Sequence, residues 1–163
     1  MNPLGLIHTA CGALALVLGA VIVLRPKGTR AHVRAGWAYA ACMGGVNGTA
    51  LGIYRLTGRV NLFHALAVAS LVMVAAGLLQ VAPRRRPQRW LWRHYQYMSW
   101  SFVGLLAATN NEAFVRVPAL ARLTAATAPA LPLLVTAALV AACGVVIVRR
   151  QEAVLAPFRP PAG

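Results

Sequence analysis

Long apolar stretches broken by short polar ones run from Leu4 to Val148. Five of these stretches, about 4–24, 35–54, 62–82, 94–114 and 127–148, are each near twenty residues long. A hydrocarbon layer of ~30 Å needs roughly 20 apolar residues as an α-helix. The pattern therefore predicts an all-α integral membrane protein with five transmembrane helices. The connections are too short for a separate soluble domain. Residues 1–150 form one transmembrane domain, and 151–163 form a cytoplasmic tail whose "APFRPPAG" end is expected to be disordered.

The first four helices pair into two similar hairpins. Each starts with a histidine near one end of its first helix, His8 or His64, followed by a basic connection. A second histidine, His32 or His94, opens the next helix, with aromatic residues and a methionine after it. Hairpins repeated in one direction are related by an axis along the membrane normal. In an up-down bundle that axis makes helices 1 and 3 diagonal, and helices 2 and 4 likewise. His8 is then expected opposite His64, and His32 opposite His94. The fifth helix, Leu131 to Val148, carries no charge and no histidine, so it is expected to pack peripherally.

Helical periodicity sorts the polar residues by face. The stripe through His32 takes Gly36, Tyr39, Met43, Asn47 and Tyr54. The stripe through His94 takes Met98, Ser101, Leu105, Ala108 and Glu112. The stripe through His8 is small throughout, with Gly12, Ala15 and Gly19, which permits close helix packing. Polar groups cost most against lipid, so the stripes are expected to turn into the bundle. One level gathers His8, His64, Asn47 and Glu112, with Asn110 and Asn111 nearby. The other gathers His32, His94 and Tyr39.

Charge fixes an orientation. Of 16 Lys+Arg, twelve lie in the connections after helices 1, 3 and 5, and four in the alternate ones. The positive-inside bias puts the N-terminus outside and the C-terminus in the cytoplasm. A net charge of +14 would otherwise point to nucleic acid, but the alternation assigns it to topology, with anionic lipid head groups as the partner of the basic loops. Trp90 and Trp92 beside the arginines fit an interfacial aromatic belt. The first helix lacks a basic segment before it and is not expected to be a cleaved signal. Cys11, Cys42 and Cys143 lie in three different helices without a CxxC pair, and read as small buried apolar residues. Self-association into a homo-oligomer is compatible with all of this.

Three chemistries compete for the histidines. Two imidazoles facing across a bundle can take both axial positions of a haem b iron, and two such pairs would make a path for electron transport, with arginines beside the propionates. The cofactor-binding residues would be His8, His64, His32 and His94. Alternatively His8, His64 and Glu112 form a His₂Glu zinc set with an open water position, the pattern of a metal-dependent hydrolase. In the third reading there is no cofactor: the histidines bond to carbonyls, Glu112 pairs with Arg116 four residues on, and Asn47, Tyr39, Ser101 and Met98 merely line a polar interior. "RPKGTRAHVR" (25–34) is a basic turn with Thr29 as helix cap; its sharper reading is a pocket for a phosphate or a propionate.

"KGTRAHVRAGWAY" (27–39), "NLFHALA" (61–67) and "HYQYMSWSFVGLLAA" (94–108), followed by Glu112 and Arg116, resemble a family of bacterial membrane proteins, domain of unknown function 2306. The resemblance covers about residues 5 to 116. It implies a small multi-spanning bundle in the bacterial inner membrane and no particular activity. Members often have an arginine directly after the second histidine; here Val33 stands there, with Arg34 next. The orientation has a direct test: a reporter fused after Gly163 is expected on the cytoplasmic side, and a periplasmic signal would reverse the two faces.

Overall fold

The computed structural model describes residues 3–52, 58, 62–81, 89–127 and 129–158. Over these the chain is helical: α1 (Pro3–Leu24), α2 (Arg30–Gly52), α3 (Leu62–Leu79), α4 (Trp90–Arg116), α5 (Pro118–Thr127) and α6 (Leu131–Leu155), then a 3₁₀ turn at Ala156–Phe158. Tyr54, Arg55, Arg59, Arg84, Arg85, Arg86, Arg159 and the last four residues lie outside the described residues.

Each expected span holds a helix, and among the described residues there is a sixth, shorter α-helix. The additional one, α5, occupies what read as a connection. Pro118 has no N–H and disrupts α4, yet it suits the first turn of a new helix, and Ala, Leu and Arg then carry α5 on. Its ten residues reach only about 15 Å, half a hydrocarbon layer. The C-terminal end differs too: α6 continues past Val148 through Arg149 and Arg150 to Leu155. Gln151, Glu152 and Ala153 are good helix formers, and the α-helix gives way only beside Pro157.

The chain divides into two compact units, Met1–Ser101 and Phe102–Gly163, with the boundary inside α4. In the first unit α1 packs on α2, and α2 on α3. The pairing of α1 with α2 is antiparallel: a Cβ at Gly52 would meet Leu4, one at Gly12 would meet Val46, and one at Gly45 would lie 2.7 Å from Cys11 Sγ. Ala15 and Gly19 are buried, so the small stripe of α1 serves close packing. The start of α4 meets α3 just as closely. A Cβ at Gly77 would stand 2.6 Å from Met98 Sδ and 3.3 Å from Tyr97 Cβ. α1 and α2 thus form one antiparallel hairpin, and α3 meets the start of α4 at Gly77. Tyr39 and Met43 of α2 are the largest fully buried side chains.

In the second unit α4 and α6 are tied by polar groups. Asn110 Nδ2 donates to Thr136 Oγ1 at 2.9 Å, and the Thr136 hydroxyl donates to Asn111 Oδ1 at 3.3 Å. The periodicity places both asparagines beside His8 and His64; in the structure they bond to Thr136 and, for Asn111, to the Ala107 carbonyl.

α1 and α6 are long and apolar enough to cross a membrane, and only 11% and 6% of their most apolar stretches are buried in the fold. Apolar surface left so bare belongs in hydrocarbon, not in water. The glycine contacts yield a contrast. Gly77→Ala is expected to cost about 1–3 kcal/mol by overpacking against Met98 and Tyr97. Gly44→Ala, with nothing within 4 Å of the new methyl, is expected to be neutral or to stabilise by up to about 1 kcal/mol. Unfolding of each variant in mixed detergent checks both.

Candidate functional site

The corner between α1 and α2 is built by "KGT". Lys27 Nζ turns back and donates to the carbonyls of Ile22, Val23 and Arg25, the last two at 2.9 Å, closing the end of α1. Gly28 takes φ 77°, a left-handed conformation that a side chain would resist. Thr29 Oγ1 then accepts from the His32 backbone N–H at 3.1 Å, the cap expected from sequence. Three consecutive residues thus end one helix, reverse the chain and start the next. The corner sets His32 one turn into α2. The Lys27 contribution was not foreseen from sequence, where the residue read only as one more positive charge.

His32 and His94 lie close enough to interact electrostatically. They are 62 positions apart, and so are Tyr39 and Ser101, whose side-chain oxygens are 3.0 Å apart. α2 and the start of α4 therefore run parallel and in register, with one pair about two turns beyond the other. This is the diagonal relation that the repeat implied. The Ser101 hydroxyl donates to the Met98 carbonyl at 2.8 Å, so Tyr39 O–H is the donor to Ser101 Oγ. Both residues are buried, at 2% and 3% exposure.

His94 is oriented by α3. Its Nδ1 lies 2.8 Å from the Gly77 carbonyl; a carbonyl only accepts, so Nδ1 carries a hydrogen and Nε2 points elsewhere. Gly77 supplies the carbonyl and, lacking a Cβ, also lets α4 come near enough to reach it. His32 differs. Its Nδ1 is buried without a hydrogen-bond partner among the described residues. It precedes the 35–54 span, and its pKa is held below the ordinary value by burial first, then by repulsion from His94 and Lys27. At neutral pH its ring is the neutral form.

At the other end of the unit, His8 Nδ1 lies 3.1 Å from the Val46 carbonyl and 2.9 Å from Thr49 Oγ1, both on α2. The Thr49 hydroxyl donates onward to the Gly45 and Val46 carbonyls. Nδ1 again carries a hydrogen, directed at the adjacent helix. His64 is buried on α3 at 5% exposure. Asn47 Nδ2 donates to the Met43 carbonyl and to Ser70 Oγ, joining α2 to α3.

Glu112 belongs to the second unit. It pairs with Arg116, its side chain 48% exposed. Among the described residues, neither unit gathers three His, Cys, Asp or Glu side chains into a group able to hold a metal ion. Of the residues singled out from sequence, the structure thus brings together His32 with His94 and Tyr39 with Ser101. Met98 rests against Gly77.

A family model for predicted membrane proteins, domain of unknown function 2306, matches residues 5–148. The chain belongs to this family. The match runs through α5 and most of α6, beyond the 5 to 116 over which the motifs carried the resemblance. Neither a curated protein nor a solved structure matches the chain. The α2–α4 bond gives this family member a measurable anchor. Tyr39→Phe removes one interhelical hydrogen bond with little change of shape, and is expected to cost about 0.5–1.5 kcal/mol in unfolding from detergent. No loss would mean that the register rests on packing alone.

Proposed function

We propose that the protein is a five-span membrane bundle that binds haem b and carries electrons across the bilayer. In this reading α1, α2, α3, α4 and α6 span, and α5 lies too short to do so. The N-terminus is outside, and the end carrying His32 and His94 faces the cytoplasm, as the charge alternation directs.

One observation carries the reading: His32 and His94 stand at one level on parallel helices, and the buried Nδ1 of His32 has no hydrogen-bond partner among the described residues. Histidine ligands commonly donate one ring N–H to a carbonyl and present the other nitrogen to the metal. His94 is held in that way by Gly77. His32 and His94 would hold the iron at this level, with Arg89 just before α4 and Arg93 in its first turn available to the propionates. Tyr39 and Ser101, about two turns further in, would close the site toward the membrane centre. His8 is held in the same tautomer at the opposite level, where buried His64 would complete a second pair. Along α2 the two levels are separated by roughly 20 Å. A bound haem supplies reversible one-electron chemistry at the iron. The chain's part is to fix the tautomers, exclude water and hold the helices in register.

A visible spectrum decides. Protein purified in detergent after expression with haem precursor is expected to show a Soret band that shifts on reduction. His94→Ala and His32→Ala should each remove the signal of the level near the basic connections. No Soret band in the parent protein would overturn the reading.

A further inference from the structure

The corner between α1 and α2 encloses a cavity of about 320 Å³, lined by Val21, Ile22, Arg25, Pro26, Thr29 and His32, with Ala31 and Ala35 completing the wall. Its wall is of two kinds. Val21, Ile22, Pro26 and the alanines make an apolar side, and Arg25, the Thr29 hydroxyl and His32 sit at the polar side. Lys27, the nearest other cation in sequence, is turned onto the carbonyls of α1 and leaves Arg25 as the cation of the cavity wall. An apolar slot with a guanidinium and an imidazole in its wall fits an anion attached to a hydrocarbon chain.

We propose that this cavity is a binding site for one anionic phospholipid. Its phosphate pairs with the Arg25 guanidinium, and an acyl chain lies along Val21 and Ile22. Basic pockets between helices at the charged face of a membrane protein are where such head groups bind. The chemistry shared with free phosphate is the anion; the apolar wall selects the lipid. The phosphate uses no ring nitrogen of His32, so the lipid site does not depend on haem binding.

Native mass spectrometry of the detergent-purified full chain, titrated with phosphatidylglycerol, is expected to show one lipid held more tightly than any further one. Phosphatidylcholine is expected to bind more weakly, and inorganic phosphate should not compete at equal concentration. Arg25→Gln should weaken the tight site about fivefold, the weight of one basic residue near an anionic surface. Ala35→Leu fills the cavity without altering charge and should abolish it. Arg34→Gln, which removes a charge from the same region but does not line the cavity, should leave it intact. Equal binding of phosphatidylcholine, competition by inorganic phosphate, or an equal loss in Arg34→Gln and Arg25→Gln would each overturn the proposal. Circular dichroism confirms that each variant keeps its helices.

Discussion

A polar side chain placed in hydrocarbon has no water to bond to and must find its partners inside the protein. That constraint makes α2 the organising helix of the first unit. One side of it receives α1 through Gly45, Val46 and Thr49; another holds α3 through Asn47 and the start of α4 through Tyr39. Apolar surface would let these helices slide or rotate, since lipid tails are as apolar as leucine. The hydrogen bonds are directional and do not tolerate it. Tyr39 to Ser101 and Asn47 to Ser70 thus fix what dispersion alone leaves loose: the axial register of one helix against the next.

Register then reaches the histidines through ordinary helix geometry. Once Tyr39 and Ser101 are paired, residues seven earlier on both parallel helices must lie at one level, and those residues are His32 and His94. The corner at Lys27, Gly28 and Thr29 supports the same arrangement from outside. It ends α1 and starts α2 within a few residues, so His32 cannot drift along the axis without breaking the cap on its own backbone N–H. Gly77 does the equivalent for His94, through both its carbonyl and its missing side chain.

The parts that were readable from sequence follow from period and length. Twenty apolar residues name a span, and a 3.6-residue stripe names a face, which is why Tyr39, Met43 and Asn47 come out buried as predicted. Periodicity does not say which neighbour a face meets. Periodicity assigns Asn110 and Asn111 to the outer histidine level, yet both bond to Thr136, a lone threonine in an apolar helix that carries no visible signal. Symmetry likewise places helices but not side-chain torsions: His8 sends its Nδ1 to α2 rather than toward the diagonal helix. α5 escaped because ten residues of mixed polarity look the same as a loop until Pro118 is seen as a first-turn residue.

The histidines raise a last point about what counts as structural. A ring N–H donated to a main-chain carbonyl is what a packing histidine makes, and also what a ligand makes, so His8 and His94 are equally ready for either part. His32 breaks the symmetry. The corner around it satisfies the end of α1 with an ammonium and the start of α2 with a hydroxyl, yet leaves the imidazole Nδ1 buried and unmet. The Oε1 of Gln80, just beyond α3, is left in the same state. An unmet buried polar atom costs about 1–3 kcal/mol, comparable to the whole value of the cap beside it. A fold that satisfies the adjoining groups through Lys27 and Thr29 carries that cost where a further partner is to be met. The unmet nitrogen lies at the level where His94 approaches His32, which is why that pair carries the haem reading.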